Sequence, residues 1–248
     1  MDRTERILEL LNTRKKMSVQ QLCTALFCSA SSLRRDLMTL EATGSVRRVR
    51  GGAVLVAGTG VDYSSDFREK VNVAEKETIC NITRDFLASG MSLFLDSSST
   101  VAKICPILEN LRNITVATNG IGTALALNHC EHVNTFITGG HLRKGSATLL
   151  GELSGDYIDQ FKADLALISC RGIDVDGAFE ADPEQARIKQ HMIANAQKTI
   201  LLADNTKFGT HYFHKLCRFD ALMAVISDRA PAPEIEAEIQ RTGCEMIY

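Results

Sequence analysis

The chain contains no tryptophan, and only 6% of its 248 residues are aromatic, so its core must be built mainly from Ala, Leu, Ile and Val. No apolar run approaches the roughly 18 residues needed to span a bilayer. The charged start Met1-Asp2-Arg3-Thr4-Glu5-Arg6 leads into no uninterrupted apolar signal core. A cytoplasmic protein with no membrane partner is expected. The eight cysteines (Cys23, Cys28, Cys80, Cys105, Cys130, Cys170, Cys217 and Cys244) include no CxxC pair, which excludes zinc ribbons and thioredoxin-type motifs and points to reduced packing residues. GxSxG, HExxH and Walker sequences are also missing. The six histidines lack a metal-binding pattern: His129 with His132, and His211 with His214, are each three apart but stand in no zinc-ligand spacing. Neither a metal nor a cofactor is expected.

What is present is an ordinary globular composition, 45% apolar and 23% charged, with a net charge of -2 that conceals an asymmetry. Residues 1–57 carry ten Lys and Arg against five Asp and Glu, whereas residues 58–248 carry eighteen against twenty-five, giving balances of +5 and -7. A small basic segment joined to a large acidic one suggests a polyanion-binding module on a carrier.

Within the basic segment, Ile7, Leu8, Leu10 and Leu11 form the apolar stripe of a helix ending near Asn12-Thr13. Ser18-Val19-Gln20-Gln21 reads as a capping box opening a short second helix, whose apolar face is Val19, Leu22, Ala25 and Leu26. Phe27-Cys28-Ser29 forms the turn, with Ser29 as N-cap of a third helix that buries Leu33, Leu37 and Leu40 and stops at Gly44. Ala30, Ser31 and Ser32 in the first turn allow close approach, and Arg34 and Arg35 follow with forks suited to guanine edges and phosphates. From Ser45 to Val56 the pattern is a hairpin carrying Arg47, Arg48 and Arg50, with Gly51-Gly52 near its tip. Three solvated amphipathic helices would explain an isolated Arg-Arg pair. The ordered set of capped helix, short turn, arginine-bearing helix and basic hairpin instead describes a winged helix-turn-helix that binds double-stranded operator DNA through these residues and Ser18.

Ser29-Ala30-Ser31-Ser32-Leu33-Arg34-Arg35-Asp36-Leu37, followed by Arg47-Arg48-Val49-Arg50-Gly51-Gly52-Ala53, resembles the N-terminal signature of the DeoR family of bacterial regulators. Ser32 stands where that family usually has Thr, and Arg50 where it often has His.

Gly58-Thr59-Gly60 and the polar stretch Asp62–Asn72 mark a linker over 58–74, separating domain 1–57 from domain 75–248. Beyond it, apolar strand-like runs at Met91–Leu95, Ile114–Thr118, Val133–Thr138, Leu165–Ser169, Thr199–Ala203 and Ala221–Ser227 alternate with helical segments. The expected architecture is a two-domain α+β protein, an N-terminal winged helix-turn-helix followed by a C-terminal α/β domain with a mostly parallel sheet. Ligands of such sheets bind at the carboxyl ends of the strands. There the chain places Asp96, Ser97, Ser98, Ser99 and Thr100, then Thr118-Asn119, Gly139-Gly140 with Arg143, and Asp204 with Lys207; Lys189 is a further basic candidate. Hydroxyls, amides and cations gathered at one sheet edge describe a pocket for a small phosphorylated polar molecule, although a single capping serine would account for the first cluster alone.

These segments also resemble the C-terminal domain of the DeoR family, in its order and approximate spacing. That resemblance implies a fold related to sugar-phosphate isomerases, a phosphorylated sugar or related metabolite as effector, and repression of a carbohydrate catabolic operon. Arg171 and the pair Phe179-Glu180 depart from the family pattern; Arg171 and Glu180 either form an internal ion pair or Arg171 adds a ligand contact. The rival reading is an isomerase-like enzyme, for which Asp96, Asp174, Asp182, Glu184 and Asp204 supply candidate bases, but a metabolic isomerase has no need of the DNA-binding module. A single module touches little DNA, so a homo-oligomer, dimer or tetramer, reading repeated half-sites is expected.

Overall fold

The computed structural model describes residues 3–42, 46–55 and 65–248, and the chain divides into two compact units, Met1–Tyr63 and Ser64–Tyr248. Gly44, Ser45, Val56 and the Gly58–Gly60 break lie outside the described residues.

In the first unit, α1 (Arg3–Arg14), α2 (Val19–Leu26) and α3 (Ala30–Ala42) enclose Ile7, Leu11, Leu22, Leu33 and Leu37, all buried. Ser18 and Gln21 form both bonds of the capping box: Gln21 N donates to Ser18 Oγ (3.1 Å) and Ser18 N donates to Gln21 Oε1 (2.8 Å). The left-handed Phe27 stops α2, and Ser29 accepts from Ser32 N at 3.2 Å to start α3. The basic hairpin is β2 (Val46–Val49) with β3 (Gly52–Leu55). Three residues ahead of α2, Lys16–Ser18, add a strand β1 against β3, which the sequence pattern had not suggested because three residues are too few to show alternation. Gly52 faces Ser18 in that pairing, where a Cβ would lie 2.3 Å from Met17 O and 2.9 Å from Ser18 Cα.

The second unit opens with α4 (Ser65–Lys70), so the polar stretch read as linker already contains a helix of this unit, followed by α5 (Val73–Thr83). Then come β4 (Ser92–Leu95), α6 (Ser99–Ala102), α7 (Cys105–Leu108), β5 (Ile114–Thr118), α8 (Ile121–Leu127) and β6 (Val133–Ile137). The helical segment after β4 is split into α6 and α7, with Pro106 in the first turn of α7. A short hairpin, β7 (His141–Leu142) and β8 (Leu149–Leu150), precedes α9 (Glu152–Ile158) and β9 (Ala163–Ser169). The remainder is β10 (Gly172–Asp174), β11 (Gly177–Glu180), α10 (Pro183–Asn195), β12 (Ala196–Leu202), β13 (His214–Cys217), β14 (Ala224–Ile226), α11 (Pro233–Arg241) and β15 (Glu245–Ile247).

Seven strands form one parallel sheet in the order β15-β14-β12-β9-β4-β5-β6. Its strands are apolar on both faces because both are covered. Leu93, Leu95, Leu165, Leu167, Ile200 and Leu202 join Ile79, Val101, Ile104 and Leu108 in one core. Phe94, Ala166, Ile168, Leu201 and Val225 join Ile188, Met192, Ile235 and Ile239 in the other. The chain builds outward from β4 through β5 to β6, then returns to β9 on the other side of β4 and builds the opposite way. After β4 it enters α6 on one face, and after β9 it passes through the small antiparallel sheet β10-β11-β13 and α10 on the other. The connections therefore part above the β4–β9 boundary, the topological switch point where a crevice forms.

Gly52→Ala should destabilise the wing, since the clash is with backbone, at a cost on the order of 1–3 kcal/mol. Urea denaturation of the full chain checks this, with wild-type stability as the contrary outcome.

Candidate functional site

On the first unit, Arg34 and Arg35 of α3 are exposed, as are Ala30 and Ser31, while Ser32 is half-buried. Ser29 is occupied as the cap and also bonds the Ser31 hydroxyl (2.9 Å) and the Ser32 hydroxyl (3.1 Å), so the serine cluster organises the helix start. Ser18 is likewise held in its capping box. Arg47 and Arg50 are exposed on the wing, whereas Arg48 is tied back to α3: its Nε lies 2.5 Å from Glu41 Oε2 and its N donates to Glu41 Oε1 at 2.9 Å. Arg3 Nε similarly meets Asp36 Oδ2 at 2.5 Å, joining α1 to α3.

On the second unit, a cavity of about 50 Å³ lies at the switch point. Its walls come from the ends of β4 (Ser98, Ser99, Thr100), β9 (Ser169, Cys170, Arg171) and β12 (Asp204, Lys207), with Glu180 of β11, Gln185 and Lys189 of α10, and Arg68, Asn72 and Lys76 from the segment around α4 and α5. Lys189 Nζ is the hub. It donates to Ser169 O (2.8 Å) and meets Glu180 Oε1 at 2.5 Å and Asp96 Oδ2 at 3.0 Å, all three side chains being buried. Burial opposes its charge, but Asp96 and Glu180 outweigh burial and hold its ammonium above the usual value. Asp96 stands behind the cavity wall and also accepts from Ser98 N (2.8 Å) and Ser169 N (2.9 Å), locking the ends of β4 and β9 together.

Asp204 accepts from Asn72 Nδ2 (3.1 Å), from Thr206 N (3.1 Å) and from the Thr206 hydroxyl. Burial pushes its carboxyl up, and Lys207, Thr206 and Lys76 together bring it below the ordinary range. Lys76 Nζ donates to Arg68 O and to Val71 O (2.8 Å), and burial pulls its ammonium down to about 8. The Cys170 thiol is pushed up by burial and is no nucleophile.

Three donors here lack a partner among the described residues. Arg68 Nε and Gln185 Nε2 are buried without a hydrogen bond. The side chain of half-buried Lys207 makes neither a hydrogen bond nor an ion pair, and burial pulls its ammonium down against the attraction of Asp204. Buried donors left unmade cost roughly 1–3 kcal/mol each, which a ligand's acceptor oxygens would recover. Counting Asp96, five cations (Arg68, Lys76, Arg171, Lys189, Lys207) meet three carboxylates, an excess of two positive charges. A second cavity of about 510 Å³ shares Arg68 and Ser99 with the first and is lined further by Ser97, Lys70, Lys103, Gly120 and Thr123.

Ser98, Ser99, Thr100, Arg171, Glu180, Lys189, Asp204 and Lys207 thus face the inner cavity, and Ser97 faces the outer one. Six expected residues line neither, Asp96 behind the wall being the first. Thr118 Oγ1 accepts from Gly120 N (3.0 Å), and Asn119 Nδ2 donates to Leu149 O (3.1 Å), because the 147–150 segment covers the end of β5. Gly140, at φ +119°, lets the turn after β6 approach Leu150 O, where a Cβ would come within 2.2 Å, and neighbouring Gly139 has its carbonyl bonded by Ser154 Oγ. Arg143 Nε pairs with Asp182 at 3.1 Å, bracing the residue that caps α10. Arg68, Asn72, Lys76 and Gln185 were missed. Only Lys76 left a sequence signal, a lysine on the stripe that buries Ile79, Cys80 and Thr83. Among the described residues no cluster of His, Cys, Asp or Glu suits a metal, and no helix is long and apolar enough to cross a membrane.

An exposed arginine helix beside a wing on one unit, with a polar cavity on the other, belongs to the class of DNA-binding regulators that sense a small molecule. Residues 3–59 match the DeoR-like helix-turn-helix domain, and residues 71–229 match the DeoR C terminal sensor domain. The chain belongs to the DeoR family. It is 31% identical to the HTH-type transcriptional repressor GlcR of Bacillus subtilis (strain 168), over 99% of this chain and 95% of that protein. It is 29% identical to the glycerol-3-phosphate regulon repressor of Escherichia coli (strain K12), over 93% of each. Ribose 5-phosphate isomerase A from Methanocaldococcus jannaschii superposes on 55% of this chain with 14% identity and a TM-score of 0.41. The protein is a transcriptional regulator, and the isomerase-enzyme reading is set aside by its membership in a family of repressors.

Lys76 gives a signed pH dependence. In the unfolded chain it holds its proton to about 10.5 and in the fold only to about 8, so between these values the unfolded state binds more protons. Its contribution to stability should rise across that window by an amount on the order of 3 kcal/mol and be flat below it. Urea melts across this pH range check it: Lys76→Met should remove the rise, and an identical profile in both proteins would refute it.

Proposed function

We propose that the protein represses a carbohydrate catabolic operon and that a phosphorylated sugar or related metabolite, seated in the second unit, changes its affinity for operator DNA. The observation that carries the effector reading is the set of unpartnered donors on Arg68, Gln185 and Lys207 beside an excess of two positive charges. A phosphate monoester dianion supplies both the acceptor oxygens and the charge. The inner cavity has the size of a phosphoryl group, and the 510 Å³ cavity beside it has room for a carbon skeleton with hydroxyls. Relatives agree, since one is named as the glycerol-3-phosphate regulon repressor and another as a transcriptional repressor of the aga operon.

On the DNA side, α3 enters the major groove with Arg34 and Arg35, while Arg47 and Arg50 follow the backbone, and Arg48 acts by fixing the wing to α3. The first unit reads DNA, the second senses and oligomerises, and the 58–74 stretch, whose Arg68 and Asn72 line the cavity, carries the coupling, on the scale of about 1–3 kcal/mol typical of such linkage. The chain works in the cytoplasm as a dimer or tetramer, so that two modules meet repeated half-sites.

Arg34→Ala or Arg35→Ala should weaken operator binding by about 1–3 kcal/mol where the side chain reads a base, and Arg47→Ala should lower the salt slope by about one unit. Fluorescence anisotropy with the promoter DNA of the regulated operon tests this, and unchanged affinity in all three variants would remove the DNA assignment. Calorimetric titration with a panel of phosphorylated sugars tests the cavity. One member should bind to the wild type and lose affinity in Gln185→Ala and Lys207→Ala; no binding by any member would sink the effector reading.

A further inference from the structure

The two edges of the parallel sheet are built differently. At one end β15 is three residues long and opens with the exposed carboxylate Glu245, a common protection against further pairing. At the other end β6 is five residues long, and Val133–Thr138 contains no charge, no proline and no bulge. Such an edge is a template for another strand.

The side chains around β6 agree. Phe136 and Ile137, which point to opposite faces of the sheet, are 40% and 42% exposed. Phe136 continues an apolar line through Phe161 (5.5 Å between ring centres) and Tyr157 (5.1 Å) toward Leu153 on α9, which is 69% exposed. On the other face, α8 covers β6 and leaves Leu125 63% exposed. Isolated exposed apolar residues are ordinary, but a row of them along an open strand marks a contact surface.

The occupant follows from backbone direction and charge. Thr138 N donates inward to Thr118 O, so by the two-residue alternation Val133, Thr135 and Ile137 turn their backbone groups outward; the N–H groups of Thr135 and Ile137 are open there, while Val133 N donates to Cys130 O (3.2 Å). We propose that β6 pairs antiparallel with β6 of a second copy of this chain, about a two-fold axis through Thr135, joining the two sheets into one. This centre sets Val133 against Ile137 and Thr135 against itself, so that the open N–H groups of Thr135 and Ile137 meet the outward carbonyls of the partner's Thr135 and the partner's Val133. The nearest charged residue, Glu131, then falls opposite Gly139 rather than another carboxylate. The strand's neutrality is what a surface facing itself requires, because a charged residue on the axis would meet its own charge. Thr135 Oγ1 is screened from water and has no hydrogen-bond partner among the described residues; a rotation about χ1 brings the two hydroxyls together across the axis.

The assignment rests on the proposed reading of repeated half-sites and names the surface that brings two modules together. Light scattering on the purified full chain at micromolar concentration, without DNA, tests it. The wild type should have an even multiple of the chain mass. Thr135→Pro, which removes an outward N–H but no bond to β5, and Ile137→Lys should each lower that mass by half, with unchanged circular dichroism. Glu245→Lys on the other edge should leave it alone. A monomeric wild type, or folded variants that keep the wild-type mass, would overturn the proposal, including the case in which those variants lose operator binding because another protein uses the edge. Operator binding by the wild type is scored separately, so a failed regulator reading shows itself without changing the masses.

Discussion

The buried contact among Asp96, Lys189 and Glu180 is the constraint on which the sensing unit depends. Asp96 ends the strand where the sheet reverses its order of growth, Glu180 belongs to the small antiparallel sheet, and Lys189 stands on α10. One ammonium therefore ties together three elements that leave the sheet in different directions. Removing three ionised groups from water is expensive, and it is tolerable because Asp96 and Lys189 are bonded to the backbone as well as paired, while Glu180 takes its bond from Lys189. The triad still carries one net negative charge. That charge lowers the cost of holding Arg68, Arg171, Lys76 and Lys207 close by, so a cavity rich in cations can exist before any anion enters it.

Much of this was legible because it is local. The capping box at Ser18 and Gln21 involves residues three apart, and the serine turn at Ser29 does the same, so both follow from side-chain chemistry alone. The strands β4, β5 and β9 show themselves as apolar runs because both their faces are covered. Adjacency is different. Nothing within Leu93–Leu95 says that its neighbours are Val116 and, across some seventy residues of chain, Leu165 and Leu167. For that reason every polar strand end looked equally eligible, and Thr118, Asn119, Gly139, Gly140 and Arg143 were assigned to a pocket that opens only where the strand order turns. Gln185 and Arg68 escaped notice for the converse reason, since an amide in a helix and a cation in a polar stretch carry no local mark of burial.

The small antiparallel sheet was also invisible to periodicity. Its strands are three or four residues long, and their alternation is lost among glycines at Gly172 and Gly177. It also brings Arg171 and Glu180 together. Phe179 O accepts from Arg171 N at 2.8 Å, so Arg171 and Glu180 are neighbours across one hairpin and face the same cavity. The two strands of this hairpin form the far wall of that cavity, opposite the hydroxyls of Ser98–Thr100.

The three-residue strand β1 has a mechanical meaning. Because Ser18 both ends β1 and caps α2, the helix-turn-helix and the wing share one covalent corner, and the Arg48–Glu41 pair closes the same body from the other side. The two reading elements cannot swing independently. With α3 on bases and the wing on phosphates, as proposed above, the distance along the duplex between the two is set by the protein, like the jaws of a fixed-gauge spanner. Any adaptation to operators of different spacing must come from outside this unit.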